Sequence, residues 1–145
     1  MKIKYRILCH FPRLLRLPIS TSSSLLGEIG ERCAATYLRR HGYRIVERNY
    51  RPYKNEIDII ARKRSGIYFV EVKTRSVHKD SPYYKSPAES VTSQQMHNIR
   101  SAAKTYIASS KFAECFFGIA EVYVTERKGA KVVSDIKFIT GLSLS

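Results

Sequence analysis

Two short segments place acids inside apolar, strand-like sequence. One is Glu56-Ile57-Asp58-Ile59-Ile60-Ala61; the other is Phe69-Val70-Glu71-Val72-Lys73. Residues two apart on a strand point to the same face, so Glu56 pairs with Asp58 in direction, and Glu71 with Lys73. The strands they belong to, 56–63 and 67–73, are separated only by Arg64-Ser65-Gly66, a short connection with Gly that suits a hairpin. If antiparallel pairing brings Asp58 beside Glu71, two carboxylates and an ammonium converge. Two carboxylates roughly 5 Å apart repel by about 3 kcal/mol at an effective dielectric of about 20. A hard divalent cation reverses that sign, and Mg²⁺ favours carboxylate, water and phosphate oxygens. Such an ion activates water and polarises a phosphate, and a Lys offsets the charge that develops there. Phosphodiester hydrolysis uses all of these parts. A Glu-x-Lys on a strand is also what a solvated cross-strand ion pair looks like. Against that reading, acids set inside apolar strands need a partner.

Composition bounds the partner. The 145 residues carry 26 Lys and Arg against 12 Asp and Glu, a formal charge of +14, with a sequence pI near 9.9. Nucleic acid is the first expectation for a chain this basic, and an anionic membrane surface the second. A hydrophobic fraction of 43% supports a packed core, and the length suits one domain. Residues 1–26 stand apart, with five basic residues, no acid, and Pro12 and Pro18 breaking the apolar pieces. They read as a basic extension, with an organelle transit peptide as the alternative. Residues 27–145 read as a single domain that keeps a net charge of +9. No stretch is long and apolar enough for a membrane helix, so integral membrane association is not expected. Cys9, Cys33 and Cys115 are too few and too scattered for a disulfide framework, which points to a reducing, cytoplasmic setting. The histidines give no zinc spacing and no local Ser-His arrangement, and no phosphate-binding Gly loop occurs.

The elements that must hold the acids follow from periodicity. Ile29, Cys33, Ala34, Tyr37 and Leu38 recur at helical spacing, with Arg39 and Arg40 in the last turn and Gly42 as a stop, which predicts a helix over 27–41. Strands are predicted over 43–50 (near a sheet edge), 56–63 and 67–73, the last with an apolar run suited to burial on both faces. A loop holding Pro82 and Pro87 follows over 75–90. Thr92 with Gln95 forms a capping box, and Met96, Ile99, Ala103, Tyr106 and Ile107 form an apolar stripe over 93–109. Strands over 117–125 and 131–139, joined at Arg127-Lys128-Gly129, complete the set. The order is helix, three strands, helix, strand, strand: an α/β fold with a mixed sheet flanked by helices, the second helix acting as a crossover.

The motifs, taken in order, resemble a known family. They are Gly30-Glu31-Arg32-Cys33-Ala34-Ala35, Gly42-Tyr43-Arg44-Ile45, Arg48-Asn49-Tyr50-Arg51, Glu56-Ile57-Asp58-Ile59-Ile60-Ala61, Phe69-Val70-Glu71-Val72-Lys73-Thr74-Arg75 and Ser86-Pro87-Ala88-Glu89-Ser90-Val91-Thr92. Over about residues 27–125 the chain resembles the YraN-like family, UPF0102, which is similar to the PD-(D/E)XK nuclease superfamily. The resemblance implies a restriction-endonuclease-like αβββαβ core. It implies that Asp58 is the metal-binding acid of the PD half, and that Glu71 and Lys73 form the (D/E)XK half. It implies that Glu31 completes the metal site, with Mg²⁺ or Mn²⁺ as the ion, and that Glu56 is an additional acid. The sequence departs from the family at Asn55, where Gly is usual, at Gln95, where a basic residue is common, and at Gly118, where the fourth strand usually carries an acid.

Substrate contacts are expected where cations sit beside aromatics or polar groups. Arg44, Arg48, Arg51 and Lys54 alternate with Tyr43, Tyr50 and Tyr53. Arg75, Lys79 and Lys85 accompany Tyr83 and Tyr84 in the loop after the Glu-x-Lys strand. Gln95, Arg100 and Lys104 lie on the second helix, away from its apolar stripe. The reading is a metal-dependent endonuclease acting on nucleic acid, with DNA and branched or repair intermediates as the expected substrates. The alternative is a non-catalytic nucleic-acid-binding module on the same fold, and a homodimer would serve if both strands are cut.

Overall fold

A computed structural model of the chain describes residues 5–7, 16–77, 91–108 and 114–143. The elements are β1 (Tyr5–Ile7), β2 (Arg16–Pro18), α1 (Ser23–Arg40), β3 (Arg44–Tyr50), β4 (Ile57–Lys63), β5 (Gly66–Val77), α2 (Ser93–Ala108), β6 (Glu114–Arg127) and β7 (Ala130–Ser143). They form one seven-stranded sheet in the order β1-β7-β6-β5-β4-β3, with β2 also paired to β7. Every pairing is antiparallel except β5 with β6. A parallel pair cannot be joined by a tight turn, so the chain between β5 and β6 carries α2 as the crossover. From α1 onward the order is the expected αβββαβ with one further strand.

Each sheet face is buried under one helix. Leu26, Cys33, Ala34, Tyr37 and Leu38 of α1 pack on Ile59, Val70, Val122 and Phe138. Ile99, Ala102 and Ala103 of α2 pack on Ile57, Ile60, Phe69 and Phe117. Phe69 and Val70 thus face opposite helices, as an apolar strand buried on both sides requires. The capping box forms as expected: the Gln95 N–H donates to the Thr92 hydroxyl at 3.1 Å, and the Thr92 N–H to the Gln95 carbonyl at 2.9 Å. At its start α1 is capped by Ser22, whose hydroxyl accepts the Leu25 N–H at 3.2 Å. That cap is why the helix begins at Ser23, before the apolar periodicity does.

Further element boundaries differ from expectation. The strand that carries Glu71 continues to Val77, because β6 runs parallel beside it in register as far as the pair Val77 and Thr125. Within 1–26, two short segments lie antiparallel on β7, which offers them an open backbone edge. Glu56 stands before β4, in the turn from β3, where it pairs with Arg51. Glu56 thus lies just outside the strand that holds Asp58, though its charge still raises the pKa of both Asp58 and Glu31.

Candidate active site

The chain reverses its own alternation where the acids sit. Tyr50 pairs with Ile57 across β3 and β4, and Arg48 with Ile59. Regular strands would send Tyr50 and Arg48 to one face. Instead the Tyr50 ring packs on Tyr106 of α2, with centroids 5.2 Å apart, while Arg48 reaches Glu31 of α1. The turn is made at Asn49, which takes φ 53, a left-handed conformation that Asn tolerates better than most residues. Across from it β4 does the same: Ile57 packs under α2 and Ile59 under α1. Asp58 is the residue between them.

The β4–β5 ladder ends at Ile59 with Val70. Beyond that pair, Asp58 Oδ2 accepts the backbone N–H of Val72 at 2.7 Å. The carboxylate thereby bridges to the strand that carries Glu71 and Lys73. Those two share a face as expected, with Lys73 Nζ 3.2 Å from Glu71 Oε1 and both side chains largely but not fully covered. Burial and the charge of Glu71 push Asp58 up to about 7; the Val72 hydrogen bond pulls the other way, and Glu31 and Glu56 add to the rise.

Glu31 reaches this end of the sheet because α1 lies very close to β5. A Cβ at Gly30 would overlap the Thr74 hydroxyl, so only glycine permits this approach. Glu31, the next residue, lines a groove of about 200 Å³ together with Val72, Thr74 and Ser76. Burial raises its pKa, the nearby Arg48 guanidinium lowers it, and the charges of Glu56 and Glu28 raise it again. Arg48 Nη2 stands 3.6 Å from Glu31 Oε2. Glu56 contributes to both acids through its field while pairing with Arg51, at 2.9 Å from Nη2.

The donors Glu31, Asp58 and Glu71 are all hard oxygen ligands, and the burial and neighbouring carboxylates that raise Asp58 to about 7 are the condition a divalent cation relieves. Their type and charge therefore fit Mg²⁺ or Mn²⁺. Among the described residues no three such side chains stand close enough together to hold a metal ion. Glu31 is drawn to Arg48 and Glu71 to Lys73, so closing the set means exchanging those cations for the metal.

The expected nucleic-acid contacts divide. Arg48 and Arg51 are engaged by Glu31 and Glu56. Arg75 is engaged by Glu121, at 3.0 Å. The Gln95 carbonyl oxygen is spent on the helix cap. Arg44 is exposed on the edge strand β3, and Arg100 and Lys104 are exposed one turn apart on α2. Lys79 and Lys85 lie outside the described residues.

Glu121 was not singled out by its sequence. It stands on β6 beside Lys73 in register, wholly buried, with one oxygen toward Arg75 and the other accepting the Tyr123 hydroxyl. An acid inside the apolar run 117–124 is the same signal that marked Asp58 and Glu71. The fourth strand thus carries an acid three residues after Gly118. Gly118 itself is fixed by packing, since a Cβ there would fall 2.8 Å from the Phe138 ring. No helix among the described residues is long and apolar enough to cross a membrane.

Comparison with known proteins agrees with the order of motifs. The model of the family described as "Uncharacterised protein family UPF0102" matches residues 30–122. A UPF0102 protein of Chlorobium phaeobacteroides is 44% identical over 117 residues, covering 79% of this chain and 88% of the relative. One from Alkaliphilus metalliredigens is 43% identical, covering 78% and 97%. One from Geobacter metallireducens is 45% identical, covering 64% and 73%. The matched region runs from Gly30, which seats α1, through the strands bearing Asp58, Glu71 and Lys73, to the middle of β6, and on that basis this chain belongs to the YraN-like family UPF0102.

Proposed function

We propose that this chain is a metal-dependent nuclease that hydrolyses phosphodiester bonds in nucleic acid, with DNA as the substrate. The observation that carries the reading is the position of Asp58. It is a half-buried carboxyl near the start of β4, bonded to the backbone of β5 between Glu71 and Lys73. A cation bound there would activate water and polarise the phosphate. Asp58 and Glu71 supply its fixed ligands, and the Val72 N–H holds the Asp58 carboxylate in orientation. Glu31 supplies a third carboxylate from α1. Lys73 donates a hydrogen bond to the phosphate oxygen on which charge develops. Arg44, Arg100 and Lys104 are exposed cations that steer the polyanion. The analogy with PD-(D/E)XK enzymes is one of motif and element order.

A second reading is favoured by one observation, the engagement of Glu31 with Arg48 and of Glu71 with Lys73. Internal pairing of this kind would leave a nucleic-acid-binding module without catalysis. Calorimetric titration of the full chain with Mn²⁺ separates the two. The nuclease reading predicts binding that is lost in Asp58→Ala and weakened in Glu31→Gln. Absence of Mn²⁺ binding, with and without duplex DNA present, selects the binding module.

A further inference from the structure

A second cavity lies at the opposite end of the β4–β5 hairpin. It holds about 650 Å³ and is bounded by the hairpin turn, the start of β6 and the C-terminal end of β7. Five residues of β5 separate Gly66 at its floor from Glu71, or ~17 Å of strand, so it is not part of the acid site.

Its walls are aromatic. The rings of Tyr68 and Phe116 stack at 5.0 Å with an interplanar angle of 24°, and Tyr43 meets Tyr68 edge-on at 5.0 Å. The stack rests on bare backbone: a Cβ at Gly66 would come within 3.0 Å of Phe116 and 3.1 Å of Tyr68. Two cations flank the rings. Lys63 Nζ lies 4.6 Å over the Tyr43 ring and donates to the His41 carbonyl at 2.8 Å. Arg64 occupies the turn at φ 55 with its side chain exposed; burial and the Glu114 charge raise the Tyr68 phenol above its ordinary range, and the Arg64 charge opposes them. Glu114 is the one acid in the lining. Thr140 also lines it; the residue is 8% exposed, and its hydroxyl has no hydrogen-bond partner. A buried hydroxyl left without a partner is costly unless something else completes it.

Stacked ring faces, two cations, one carboxylate and an unsatisfied hydroxyl together match one chemical class. Ring faces take an unstacked base, guanidinium and ammonium take a phosphate, and a carboxylate accepts from an exocyclic amine. We propose that this cavity binds an unstacked nucleobase together with its phosphate, presented by a free nucleotide or by the end of a single strand. The strand-end source rests on the nuclease reading; the free-nucleotide source does not. None of Asp58, Glu71 and Lys73 takes part.

The test is calorimetry on the full chain in EDTA with nucleoside 5′-monophosphates, ribose 5-phosphate and a single-stranded DNA hexamer. A monophosphate binds, and ribose 5-phosphate binds more weakly by about tenfold, the loss expected for one stacked base. Phe116→Leu and Arg64→Ala each weaken the nucleotide, while Glu71→Ala leaves it unchanged. Arg64 is exposed, so its variant reads binding without a threat to folding. Hexamer binding with the same sensitivity to both variants assigns the site to a strand end, and nucleotide binding alone assigns it to a free nucleotide. Failure of every monophosphate at millimolar concentration overturns the proposal. So does equal binding of ribose 5-phosphate, or indifference to both variants.

Discussion

Two ion pairs on β5 sit two residues apart on one face and have different fates. Lys73 meets Glu71 at 3.2 Å with both groups within reach of solvent. Arg75 meets Glu121 at 3.0 Å, and the acid of that pair is wholly enclosed. Glu121 has Arg75 at one oxygen and the Tyr123 hydroxyl at the other. Around Asp58 the balance is different: burial first, then the charges of Glu71, Glu31 and Glu56, push its carboxyl up to about 7. A closed, internally neutral pair holds a fold together. On the nuclease reading, the open set with surplus negative charge is where an external cation would bind.

The largest effect that distinguishes the two is on catalysis. Asp58→Ala and Lys73→Ala should each lower metal-dependent cleavage by about 10³-fold or more, as removal of a preorganised charged group does, with little change in thermal midpoint. Glu121→Ala should do the reverse, costing about 3 kcal/mol of stability in urea unfolding because Arg75 loses its buried partner. An Asp58 variant that unfolds, or a Glu121 variant that folds normally but fails to cleave, would break the distinction.

A second effect separates them by pH. The Asp58 carboxyl titrates near 4 when unfolded and about 7 when folded. Folding is therefore favoured by the protonated form: its contribution is full below about pH 4 and is lost as pH rises through about 7. Metal-free stability should fall over that window by on the order of 4 kcal/mol, and Asp58→Asn should flatten the fall. Urea midpoints measured at intervals from pH 4 to 8 check it. Least of all, Gly30→Ala should destabilise by about 1–2 kcal/mol through overpacking against Thr74, and Thr74→Ala in the same chain should recover most of the loss.

The elements were legible because each face of each strand and helix carries its own apolar pattern. The capping box and the terminal Gly42 marked helix ends through chemistry that is local. Asp58, Glu71 and Lys73 were legible for a related reason, since an acid inside an apolar strand announces an unmet need. Glu121 gave the same signal, yet its cation Arg75 meets it only through a parallel pairing that local sequence does not specify. The reversal opposite Asp58 was hidden because period-two reasoning assumes regular strand geometry, which Asn49 leaves at φ 53. Glu56 stands one residue before β4 and pairs with Arg51, a boundary that periodicity does not fix. The aromatic cavity draws on Tyr43 and on β4, β5, β6 and β7 at once, and no linear spacing records it.

The account stands or falls on cleavage. The full chain, incubated with Mg²⁺ or Mn²⁺ and a panel of single-stranded, duplex, flapped and four-way-junction DNA and RNA, is compared with Glu71→Ala folded to the same thermal midpoint. The account predicts metal-dependent cleavage of at least one DNA substrate by the natural chain and none by Glu71→Ala. Equal cleavage by both proteins, or cleavage by neither, contradicts it.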